Sequence, residues 1–220
     1  MEKERKVKVL ILVALVVAVL GLTVAFAALS QTLTINGSAS VNAAEWDVGF
    51  ISNEDGTIPI NVSPKGDAKV LSEYVATKTS ISNISVSITK PGDIVTYGTL
   101  LKNSGTIDAR IESIEVSKLC TLSSPVESCD WDNDGSVTQE DVDKVNNNIS
   151  FIAYAGANTG SDVNLLKANA YGKFYLLVGY GKYEFGSGGI TNKIEDAIEL
   201  PKRDLTFNDL SVIVNFVQAD

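Results

Sequence analysis

The chain has 220 residues, 27 of them acidic against 18 basic, and no histidine, which gives a formal net charge of −9. Without imidazole it can build neither a Ser-His-Asp or Cys-His nucleophile nor an HExxH zinc site, and its acidity sets it against nucleic acid and anionic membrane surfaces. No GxSxG elbow, P-loop or GxGxxG after a strand occurs, and acidic residues are too common for any carboxylate pair to single out glycosidase chemistry, so the chain reads as a non-enzyme.

Met1 to Lys8 carries Lys3, Arg5, Lys6 and Lys8, Val9 to Leu29 has no charge, and Ala25-Phe26-Ala27 forms an Ala-x-Ala exit. This pattern predicts a signal peptide over 1–27, cut between Ala27 and Ala28, because polar Ser30-Gln31-Thr32 follows instead of a basic stop-transfer flank. The same run, at roughly 1.5 Å per helical residue, can also span a bilayer, so an uncleaved anchor is the alternative. Cleavage would take four of the 18 basic residues (Lys3, Arg5, Lys6, Lys8) and two of the 27 acidic ones (Glu2, Glu4), leaving 14 against 25 and a net charge of −11. The protein is expected at the cell surface or outside the cell, meeting the membrane only through this segment. Residues 28–220 are read as one domain with an insertion at 118–147.

Beyond the exit the texture is short alternating runs punctuated by Gly, Asn, Asp and Pro. Thr32-Leu33-Thr34-Ile35 alternates up to the turn Asn36-Gly37, and Trp46 to Phe50 alternates next. Ile84-Ser85-Val86-Ser87-Ile88 is a clear strand, stopped by Lys90-Pro91-Gly92-Asp93, where Pro fixes φ and Gly supplies a positive one. Ile94 to Leu101 is read as its hairpin partner. Ile107 to Val116, Ile149 to Ala155, Lys173 to Val178 and Ser211 to Val217 are the later strands, and Gly186-Ser187-Gly188-Gly189 reads as a flexible turn. The fold class that follows is all-β, a β-sandwich.

One segment breaks the pattern. Asp130-Trp-Asp132-Asn-Asp134-Gly135-Ser136-Val137-Thr138-Gln-Glu-Asp141 has the spacing of a calcium loop, with carboxylates at positions one, three, five and twelve and Gly135 at the sharp turn of position six. Ser136 would offer its carbonyl, Val137 would point inward, and Thr138 would ligate through its hydroxyl or a water. A helix over Gln139 to Asn146 should leave the loop, with Val142 and Val145 on one face. Ca²⁺ is the expected ion, held with an affinity on the order of 10⁻⁴ to 10⁻³ M, and a solvated acidic turn is the alternative. The loop resembles the calcium half-motif of dockerins, although no second copy appears and Asp141 is shorter than the usual Glu. Cys120 and Cys129, the two cysteines of the chain, can close a short loop at its entry in an oxidising compartment, with two free thiols as the alternative.

The stretch Val24-Ala-Phe-Ala-Ala-Leu-Ser-Gln-Thr-Leu-Thr-Ile-Asn-Gly-Ser-Ala-Ser-Val41, Trp46-Asp-Val48, Ile88-Thr-Lys-Pro-Gly-Asp93 with Val95-Thr-Tyr97, Lys102-Asn-Ser-Gly-Thr-Ile-Asp-Ala109 and Val214-Asn-Phe-Val-Gln-Ala-Asp220 together resemble the TasA/camelysin group, exported proteins with SipW-type signal peptides. The resemblance implies a jelly-roll-like sandwich and a secreted subunit of biofilm-matrix fibres. In such a fibre the freed N-terminal strand, here Leu29, Thr32, Leu33, Thr34 and Ile35, enters the neighbouring copy. An uncharged strand at a free end can add to an exposed sheet edge, and a head-to-tail contact of this kind propagates without closing; pairing within its own domain is the alternative. The expected partners are other copies of the chain and other matrix or cell-surface components. A monomeric or membrane-anchored calcium-binding adhesion or ligand-binding module is the competing reading. Asn36, Asn61, Asn83 and Asn148 head Asn-x-Ser sequons whose use depends on the source.

Overall fold

Strand-prone runs can bury alternate residues only by packing one sheet face on another, and the computed structural model shows where each face goes. It describes residues 16, 44–157, 162–186, 189–192 and 199–219. Apart from residue 16, these lie in one compact unit, Ala43–Asp220. In chain order come β1 (Val48–Phe50), β2 (Asn61–Lys65), β3 (Lys69–Val70), β4 (Val75–Ala76), β5 (Ser80–Ile88), β6 (Ile94–Asn103) and β7 (Ala109–Val116). Two short helices follow, α1 (Val126–Cys129) and α2 (Gln139–Asn148). The chain then continues through β8 (Ile149–Ala157), β9 (Leu165–Leu166), β10 (Tyr171–Tyr180), β11 (Tyr183–Gly186), β12 (Gly189–Asn192) and β13 (Leu205–Gln218).

One sheet runs β1–β6–β10–β8, with β2 also on β6; the other runs β3–β5–β13–β7–β9, with β4 also on β5. β11 and β12 form a separate hairpin, and every pairing is antiparallel. Tyr97 and Leu101 of β6 and Phe174, Leu176 and Val178 of β10 share one continuous core with Ile81, Val86 and Ile88 of β5 and with Phe207 and Val212 of β13. Phe50 meets Phe174 edge-on across that core, ring centroids 5.0 Å apart. The mostly β structure is what the alternation predicts, and α2 starts at the residue predicted for it, while α1 is a short helix that the sequence reading does not anticipate.

The hairpin partner is a correction. β6 does not pair with β5; its neighbours are β1, β2 and β10, while β5 pairs with β3, β4 and β13. The turn between them carries the chain from one sheet to the other, because the Asp93 carboxylate is fully buried and gathers three backbone N–H groups, Asp67 at 2.7 Å and Thr89 and Lys90 at 3.0 Å each. Asp93 N is thereby taken up by Lys90 and its carbonyl by Tyr180 N at 2.8 Å, which docks the turn on the end of β10. A buried carboxylate with this many donors fixes a crossing that local alternation cannot reveal.

The signal-peptide cleavage at Ala27–Ala28, the strand of Leu29, Thr32, Leu33, Thr34 and Ile35, and the sequon at Asn36 lie outside the described residues. Among the described residues no helix is long and apolar enough to cross a membrane.

Candidate metal centre

The insertion is built on one covalent clip and one buried ring. Cys120 and Cys129 are bridged, with Cα atoms 5.9 Å apart, and a disulfide of this kind belongs to an oxidising compartment. Pro125, with φ −55°, precedes α1, whose single turn ends at Cys129. Trp131 is only 1% exposed and lies against Tyr180 of β10, ring centroids 6.2 Å apart. Its carbonyl accepts Lys202 N at 2.9 Å, so the segment entering β13 is tied to the loop.

Around that anchor the backbone curls over its own carboxylates. Asp130, fully buried, accepts Asp134 N on Oδ1 and Gly135 N on Oδ2, both at 3.1 Å. Asp132 Oδ1 also accepts Asp134 N at 3.2 Å, and Asp134 Oδ1 accepts Ser136 N at 2.9 Å and Ser136 Oγ at 2.7 Å. Asn133 and Gly135 take positive φ, 60° and 90°; glycine fits the second of these without steric penalty, and Asn tolerates the first. The result brings ligand oxygens of Asp130, Asp132 and Asp134 within 4.8 Å of one another.

The remaining predicted ligands do other work in this arrangement. Thr138 is the N-cap of α2 and forms a capping box with Asp141. Asp141 Oδ2 accepts Thr138 N at 2.9 Å and Thr138 Oγ1 at 2.5 Å, while Oδ1 accepts Trp131 N at 3.1 Å. Burial pushes the Asp141 carboxyl up, but these hydrogen bonds outweigh it and hold the group below its ordinary range. The structure thus brings three carboxylates together and leaves the fourth in the helix cap, tying the loop to the helix through Trp131 N. Val137 packs against the core as predicted, and Val142 and Val145 are buried.

Sequence spacing misses Arg203. Its Nη1 lies 3.5 Å from Asp130 Oδ2, the closest cation to a buried negative charge, and it comes from the approach to β13. Nothing local in the sequence points to it.

Compared with protein-family models, curated proteins and solved structures, the chain matches none. The chemistry must be argued from its own residues. Three carboxylates converging on one point repel each other unless a cation lies between them, and Arg203 reaches only one. Hard carboxylate oxygens suit cations that take oxygen ligands, among them Ca²⁺, better than softer metals that prefer nitrogen or sulfur. The cluster could hold a metal ion.

Proposed function

We propose that the chain is an exported, non-enzymatic structural subunit of extracellular matrix fibres, folded as a jelly-roll-like β-sandwich and stabilised by Ca²⁺ in its insertion. The observation that carries this reading is the convergence of Asp130, Asp132 and Asp134 in a loop clipped by the Cys120–Cys129 bridge. A covalent clip and an acidic ion loop on one insertion are devices of an oxidising, calcium-rich milieu. In the ion site Asp130, Asp132 and Asp134 supply charge and the Ser136 carbonyl supplies further oxygen, while Thr138 and Asp141 orient the loop through their cap.

Assembly follows from the edges. β8 ends its sheet and has no ladder partner on its far side among the described residues, and at nine residues it is the longest such edge. The other flanks are closed by pieces of two to five residues, β1 to β4 and β9. A long open edge is a template for an added strand. Beside its start lies an open cleft of about 680 Å³ whose lining mixes apolar Leu119, Ile149 and Phe151 with polar Gln139, Asn146 and Lys182, and its apolar part would receive Leu33 and Ile35 of a neighbouring copy. Residues 28–37 added head to tail would propagate a filament.

Negative-stain microscopy of protein beginning at Ala28 tests the reading. Filaments are expected from that protein and a folded monomer from Leu33→Asp/Ile35→Asp, because a charge buried unpaired at the junction costs several kcal/mol. Filaments that persist in the variant, or an unaltered protein that stays monomeric at high concentration, would contradict assembly.

A further inference from the structure

The outer face of the β1–β6–β10–β8 sheet carries an aromatic and cationic platform that the fibre reading does not use. The register places Tyr175 beside Tyr154 on one side and Gly98 on the other, and Tyr171 beside Lys102. Phe174, Leu176 and Val178, the alternate residues of β10, are fully buried, so the Tyr171–Lys173–Tyr175 set faces outward. Tyr171 is 46% exposed and Tyr175 37%. By strand rise their rings stand about 13 Å apart, the span of a few linked sugar rings.

These rings are held, not loose. Phe185 of the β11–β12 hairpin stacks on Tyr175 at 6.5 Å and 23°, and lies tilted at 34° against Tyr154, 5.7 Å away, so it bridges the two tyrosines. The Tyr154 hydroxyl lies over Gly156, and a side chain at Gly98 would come against the Tyr175 ring. With no Cβ at either position the surface between the rings stays flat. Lys102 Nζ sits 5.5 Å from the centre of the Tyr171 ring, and Lys173 stands between the two exposed tyrosines on the same strand.

Charge separates this face from the rest of the molecule. The whole chain is net −9, yet the rows through Lys102, Lys173 and Tyr175 contain no carboxylate among the described residues, although Glu184 adjoins Phe185 on the hairpin that packs against Tyr175. Neither lysine has an ion pair among those residues, and Asp47 at the border is already paired with Lys78. The two lysines give an anionic ligand a local attraction that the net charge of the chain opposes. Flat exposed rings fit the CH faces of pyranose sugars, and two lysines staggered along the same face, Lys102 beside Tyr171 and Lys173 two residues further on, fit carboxylates carried by those sugars. We propose that this face binds an acidic polysaccharide, a polymer of uronic-acid sugars laid along β10. An acidic protein surface, including a second copy of this chain, would match the lysines without using the exposed rings.

The test is affinity electrophoresis of the full chain as exported, in gels containing sodium polygalacturonate, neutral dextran or polyglutamate. Polygalacturonate should retard it most, dextran little. Tyr171→Ala/Tyr175→Ala should weaken polygalacturonate binding about tenfold, the scale of lost ring contacts. Lys102→Gln/Lys173→Gln, at one half-buried and one exposed position, should weaken it and flatten its salt dependence; unchanged near-ultraviolet circular dichroism would show that both variants are folded. Three results would overturn the proposal: no retardation by polygalacturonate, equal retardation by polyglutamate that the tyrosine change leaves intact, or self-association lost in these variants without any polymer binding.

Discussion

The shared core of the two sheets and the 118–147 insertion are stabilised by different means. The core is apolar and closed: Ile81, Val86, Leu101, Phe174, Leu176 and Phe207 are at most 0% exposed and interlock across strands far apart in the chain. The insertion buries few apolar groups, chiefly Trp131, Val142 and Val145. It is held instead by a disulfide, a capping box and carboxylate-to-backbone hydrogen bonds. A region that lacks apolar area must be tied covalently, by caps or by an ion, and such ties respond to reductant, pH and metal in ways that burial does not.

The comparison breaks most visibly at Trp131, the one large ring that joins the two regions. Trp131→Ala should lower stability by about 3–5 kcal/mol, the usual loss for a large buried aromatic. Urea unfolding followed by hydrogen exchange checks it, and amides of 118–147 should lose protection before those of β5, β10 and β13.

Reduction comes next. For Cys120→Ser/Cys129→Ser, closure entropy for a loop this short sets a loss of about 2–3 kcal/mol. Thermal melts with and without reductant should differ for the unaltered protein and coincide for the variant.

Removing the cap has a smaller effect. Thr138→Ala should cost about 1 kcal/mol through the lost N-cap bond to Asp141 N, read as a shift of the urea midpoint at constant slope.

pH separates the regions by direction. Asp141 is held below its ordinary value once folded, so its contribution is present above the unfolded carboxylate range and is lost as pH falls through the folded value. Burial raises Tyr97 to about 12; its contribution is intact below the unfolded tyrosine value and is lost as pH rises from there toward 12. Acid should therefore loosen the insertion first and alkali the core, followed by hydrogen exchange across the two regions.

What the sequence reveals divides along the same line. Strand faces are local, so Ile84 to Ile88 and Lys173 to Val178 are legible from alternation, and the ion loop is legible because its carboxylates and Gly135 sit at fixed offsets. Partners of strands are long-range. β5 and β6 look like a hairpin until the buried Asp93 is seen to draw the turn across to β10. β2 is hidden by Pro64, which an edge strand tolerates because its N–H side need not pair. In β5 and β13, Asn83 and Asp209 at φ 56° mark bulges that shift the alternation. Arg203 is invisible for a further reason: its partner Asp130 is met only after the chain has returned through β10.

Calorimetric titration of calcium into the unaltered protein tests the central claim most directly. One ion should bind with Kd on the order of 10⁻⁴ to 10⁻³ M, raise the unfolding temperature, and do neither in Asp130→Ala/Asp134→Ala while the sheets of that variant stay folded. No heat and no stabilisation at millimolar calcium would contradict it.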